Sequence, residues 1–109
     1  MNIYDLANKY NIKYRTWPMM SEHTINFFVN HKNNKGFSEL ARLYNNKIYL
    51  SCGWSLEEIN NPRCITDIEK SISDCHYDYR KNARNFINEL MNKQISFRYN
   101  TRLKMKDNM

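Results

Sequence analysis

Between Ile65 and Leu90, eight residues (Ile65, Ile68, Ile72, Cys75, Tyr79, Ala83, Phe86 and Leu90) recur three or four positions apart. That spacing lines them along one side of a helix with 3.6 residues per turn. A stripe of this length has to be covered, so the rest of the chain must supply an apolar surface for it. The pattern predicts one long helix ending at about Lys93. Its start is either Pro62 as first helical residue or Thr66 with Glu69 three positions on.

The covering surface is legible upstream. Thr24 to Lys32 alternates, with Ile25, Phe27 and Val29 on one side and Thr24, Asn26 and Asn30 on the other, the period of a strand. Asn33-Asn34-Lys35-Gly36 reads as a turn. Phe37–Tyr44 fits a helix or a strand by spacing alone, and register decides for the strand. With Asn45-Asn46 as a two-residue hairpin turn, Leu43 faces Ile48, Ala41 faces Leu50 and Phe37 faces Trp54, all apolar pairs. The opposite face then holds Arg42, Lys47, Tyr49 and Ser51.

Ile3, Leu6, Ala7 and Tyr10 mark a first helix over about 2–11 with Asn2 as its cap, and 12–22 reads as a connector. Ser55-Leu56-Glu57-Glu58 has capping-box form and starts a short turn that Asn60-Asn61-Pro62 ends. The expected fold is α+β in the order α-β-β-β-α: a three-stranded antiparallel sheet with one long C-terminal helix packed on it. Residues 1–93 form a single domain. Residues 94–109 form a basic C-terminal extension, in which Ile95, Phe97 and Tyr99 alternate like a short strand.

Composition narrows the function. The net charge is +6, unevenly spread. Residues 57–79 carry two basic and six acidic residues, whereas 80–109 carry eight basic and two acidic. Carboxylates early and cations late in a helix suit its macrodipole. Arg98, Arg102, Lys104 and Lys106 lie past the helix, and a basic terminal segment faces an acidic partner. No stretch approaches the roughly 20 apolar residues of a membrane span. The first residues lack the basic and apolar regions of a secretory signal, so the expected location is the cytoplasm of a bacterial host cell. Seventeen Asn, ten Lys and ten Ile against two Gly match an AT-rich coding sequence.

Catalytic signatures are wanting. Cys52, Cys64, Cys75 and His76 lack the close pairing of structural zinc ligands, and Cys75 sits on the apolar stripe; the expectation is core thiols and no metal. His23, His31 and His76 are the acid–base candidates, and a ribonuclease could use such a histidine beside a cation. Two glycines leave no phosphate-cradling loop and no cofactor motif.

Three patches mix cations with rings, the combination that grips single-stranded nucleic acid. On the long helix, Lys70, Tyr77, Lys81, Arg84 and Asn88 share the side opposite the apolar stripe, flanked by Arg80. Arg42, Tyr44, Lys47 and Tyr49 share the outer sheet face. The tail adds Phe97, Arg98, Tyr99, Arg102 and Lys104.

The order helix, three antiparallel strands, long helix over about 2–93 resembles the double-stranded-RNA-binding domain, with Asn45-Asn46 where that fold has its second hairpin. The family's lysine-rich start of the second helix is replaced by the acidic Ile65-Thr66-Asp67-Ile68-Glu69. HicA-type toxin ribonucleases have a similar layout, with His23 before Ile25 as the comparable histidine. In size, AT-rich composition and element order the chain also resembles small phage anti-CRISPR proteins. That resemblance implies an inhibitor contacting guide RNA, DNA or an acidic surface of an effector ribonucleoprotein. The reading reached is a non-enzymatic binder of nucleic acid or of a nucleic-acid-processing complex. The alternatives are a toxin-type ribonuclease using His23 or His31, and an immunity protein or antitoxin.

Overall fold

The computed structural model describes residues 2–16 and 24–92. Helix α1 (Ile3–Lys9) is closed at its start by a reciprocal capping box between Asn2 and Asp5. Its buried Ile3, Leu6 and Ala7 enter the core. A short strand β1 (Lys13–Arg15) follows, inside the segment expected to be a connector. It pairs antiparallel with β2 (Thr24–Asn30), which pairs with β3 (Phe37–Tyr44), which pairs with β4 (Lys47–Leu50). The sheet therefore has four strands in the order β1-β2-β3-β4, not three. Lys13-Tyr14-Arg15 is too short and too exposed to show a strand period, and only pairing with Phe28, Phe27 and Asn26 makes it one.

The β3–β4 hairpin follows the expected register, with Leu43 opposite Ile48 and Ala41 opposite Leu50. Asn45 and Asn46 both take positive φ, 49° and 64°, as a type I′ turn requires. Phe37 does not face Trp54, because β4 ends at Leu50 and Phe37 pairs with Asn30. The cause is a bulge. The β2–β3 register shifts after Phe27, so that Ala41 pairs with Phe27 but Glu39 with Phe28, leaving Leu40 as the extra residue. Leu40 and Ala41 both turn into the core, and Phe37 and Glu39 move to the other face. Ser51 stabilises the irregularity, its hydroxyl lying 3.3 and 3.4 Å from the carbonyls of Glu39 and Leu40.

After two short 3-10 turns, Ser51–Gly53 and Leu56–Glu58, the chain enters α2 (Pro62–Asp74). Pro62 is its first residue and the Asn61 side chain accepts from the Arg63 N–H. The second turn carries the Ser55–Glu58 capping box read from the sequence.

The single long helix is not formed. Cys75 and His76 are extended, Tyr77–Tyr79 makes a 3-10 turn, and α3 (Arg80–Asn92) runs from there. A straight helix would hold Glu69 and Arg84 roughly 22 Å apart at 1.5 Å per residue. Here their side chains are hydrogen-bonded at 2.7 and 3.0 Å, so the chain doubles back. What competes with the helix is the free edge of β2 beyond β1. His76 N–H donates to Asn30 and Lys32 N–H to Asp74, both at 2.8 Å, and Cys75 bridges His31. Arg80 holds the bend, its guanidinium donating to the carbonyls of Cys75 and Ser73 at 3.0 Å each.

All three helices pack on one face of the sheet. The core joins Ile3 and Leu6 of α1, Phe27, Val29, Leu40, Ala41, Ile48 and Leu50 of the sheet, Ile68 and Ile72 of α2, and Phe86, Ile87 and Leu90 of α3.

Candidate functional site

The pairing register sorts the sheet into two chemically different faces. One cross-sheet row reads Arg15, Asn26, Arg42, Tyr49; the next reads Lys13, Phe28, Glu39; the outer ones are Asn30 with Phe37, and Thr24, Tyr44, Lys47. These rows lie opposite the helices. They hold four cations, four rings and one carboxylate, and that carboxylate is neutralised: Glu39 accepts from both Arg42 (2.9 Å) and Asn26.

The middle of this face is closed, since Asn26 and Phe28 are buried. Its two ends are open. Phe37 is 44% and Tyr44 39% exposed, and Lys13, Arg15 and Lys47 reach solvent. At the Phe37 end the Arg15 guanidinium lies 5.0 Å from the Phe37 ring centre and 5.2 Å from that of Phe28. The two rings are 4.6 Å apart, tilted by 54°. Cation–ring packing of this kind fixes a flexible arginine on an aromatic shelf while leaving its N–H groups available.

The bend between α2 and α3 forms the second feature. Tyr77 is the most exposed large ring among the described residues, at 72%. It stacks on His76, with centres 4.5 Å apart and planes 23° from parallel. His76 is held in turn by its Nδ1, which accepts from the Asp78 N–H at 3.2 Å, and by the Tyr79 ring at 5.8 Å.

The helical stripe expected from sequence is divided by the bend. Lys70 ends up on α2, Lys81 and Asn88 on α3, all exposed. Two of its cations are committed within the chain. Arg84 forms a two-bonded pair with Glu69, which pulls the Glu69 carboxyl below its ordinary value and raises Arg84. Arg80 is bound to the backbone of the bend. Tyr49 is half-buried at the hairpin, where it bridges Ser55. Phe97, Arg98, Tyr99, Arg102 and Lys104, like His23, lie outside the described residues.

Sequence reasoning missed Lys13, Arg15, Phe28 and Phe37 as members of a basic aromatic face. The cations of β1 carried no strand signal, and the bulge had not yet turned Phe37 outward.

The remaining described histidines and cysteines have local partners or are buried. His31 Nδ1 accepts from the Asn33 N–H at 3.2 Å, a turn bond like that of His76. Burial pushes the Cys64 and Cys75 thiols up, away from the reactive thiolate. Among the described residues no three histidine, cysteine or carboxylate side chains come together to hold a metal ion. No helix among them is long and apolar enough to cross a membrane. No family model, curated protein or solved structure matches this chain.

Proposed function

We propose that the protein is a non-enzymatic nucleic-acid binder that uses the face of its sheet opposite the three described helices, with the biological role of inhibiting a host-defence ribonucleoprotein. The observation behind this reading is the row composition of that face: Lys13, Arg15 and Lys47 interleaved with Phe37, Tyr44 and Tyr49, while Arg42 and Glu39 neutralise each other. Cations held among rings attract a phosphate backbone and offer its bases somewhere to stack. The helix patch gives weaker support, because Arg80 and Arg84 are occupied within the chain.

The test is an electrophoretic shift assay at low salt with RNA and DNA, single-stranded and duplex, on the wild-type chain and on a His23→Gln/His31→Gln variant. A complex with intact nucleic acid, unchanged in the variant, is the expected result. Absence of any complex transfers the surface to a protein partner. Cleavage of the probe that disappears in the variant favours the ribonuclease.

A further inference from the structure

The two exposed aromatic features, Phe37 and the His76–Tyr77 stack, are brought together by the backbone. Cys75 is bridged to His31, and the His76 N–H donates to Asn30. Asn30 is in turn the register partner of Phe37. His76, Asn30 and Phe37 therefore follow one another across three neighbouring backbone segments, and two strand spacings put His76 and Phe37 about 10 Å apart. Lys13 joins the same corner by donating from Nζ to the Asn30 side chain at 3.2 Å, and Arg15 is already fixed on the Phe37 ring.

We propose that this corner is a two-base site for an unpaired strand. One nucleobase stacks on the exposed face of Tyr77 and extends the His76–Tyr77 stack. A second stacks on Phe37, and Lys13 and Arg15 take phosphates of the same strand. This inference rests on the nucleic-acid reading above and deepens it from nucleic acid in general to single strands.

Three physical points carry it. Both rings already pack on neighbours before any ligand arrives, Tyr77 on His76 beside a bend held by Arg80, Phe37 on Arg15 and Phe28; preorganised rings lose less entropy on binding. Both are exposed well beyond what their apolar surface favours, at 72% and 44%. The cations beside them complement phosphate, whereas a duplex keeps its base faces stacked on one another and cannot offer them to a ring.

The experiment measures fluorescence anisotropy of a labelled single-stranded oligonucleotide and of its duplex, titrated with the full chain and four variants. Stacking on one ring contributes a roughly 5- to 150-fold change in affinity. Tyr77→Ala and Phe37→Leu should each weaken single-strand binding by about tenfold or more on that scale, with little change in salt dependence. Tyr77→Phe, which keeps the ring, should bind like wild type. Lys13→Ala should weaken binding and also flatten the salt dependence. Thermal melts of each variant confirm that the fold is retained, and Phe37→Leu preserves bulk against Phe28. Equal affinity for duplex and single strand, or wild-type affinity in both ring variants, would overturn the stacking site while leaving the nucleic-acid reading in place. Retention of neither form at low salt would remove both readings.

Discussion

Phe27 and Phe28 are adjacent in the chain and belong to different chemistries. Phe27 lies in the core against Phe86, ring centres 6.1 Å apart, among aliphatic side chains of all three helices. Phe28 lies on the opposite face between Arg15 and Phe37. The inner face excludes water and charge, and its value is stability. The outer face keeps rings and cations together where apolar burial alone would not place them, and recognition is the role we propose for it. One strand can serve both because successive residues point to opposite sides.

The largest expected effect tests that division directly. Ile72→Asp puts an unpaired charge into the helix–sheet interface, where Ile72 is buried. It should cost several kcal/mol and unfold the domain, given total stabilities of about 5–15 kcal/mol. Phe37→Asp on the outer face should cost far less, about 0.5 kcal/mol, the ordinary size of a surface substitution. Chemical denaturation of the two variants side by side measures the contrast. If both unfold the chain, the outer face is structural and the division between the faces fails.

A smaller effect separates the cations of the two regions. Lys13→Ala/Lys47→Ala on the sheet should shift the slope of log K against log salt for a single strand by about 1.4, at about 0.7 for each phosphate that is no longer neutralised. Lys81→Ala/Arg84→Ala on α3 should shift it less, since Arg84 already has Glu69 as its counter-ion. A larger shift from the helix pair would return the interface to the helices.

The smallest effect belongs to the Glu69–Arg84 pair itself. The pair is exposed, so Arg84→Ala should lower stability at neutral pH by only about 0.2–1 kcal/mol. Its pH dependence has a definite sign. Glu69 is held below its ordinary value of 4.5 in the folded state. The pair's contribution is therefore fully present above that value and is lost as pH falls through the lowered one. Thermal melts at pH 7 and pH 3 should show wild type losing slightly more stability on acidification than Arg84→Ala. An equal loss would show that the pair does not form in solution.

Much of the fold was legible because it depends on local period. The Asn2 cap, the Asn45-Asn46 turn, the Ser55–Glu58 box and the alternation of Ile25, Phe27 and Val29 each declare themselves within a few residues. The outer-face patch around Arg42 and Lys47 was visible for the same reason, as the polar half of a hairpin register. Lys13 and Arg15 were not, since three exposed residues become a strand only when β2 supplies the partners.

By itself, then, the sequence determined most of which residues are buried and which segments can be helix or strand, because apolar spacing is a property of neighbours along the chain. Tertiary structure alone decided two matters. At Leu40 a bulge sends two consecutive apolar residues inward and Phe37 outward, and an apolar pair in sequence cannot announce which of its members breaks the alternation. At Cys75 the apolar stripe continues in phase through a buried residue, so it reads as one helix although the backbone leaves the helix to bond β2. Both outcomes depend on hydrogen-bond partners far away along the chain, and it is those distant bonds that carry Phe37 and Tyr77 to the same corner.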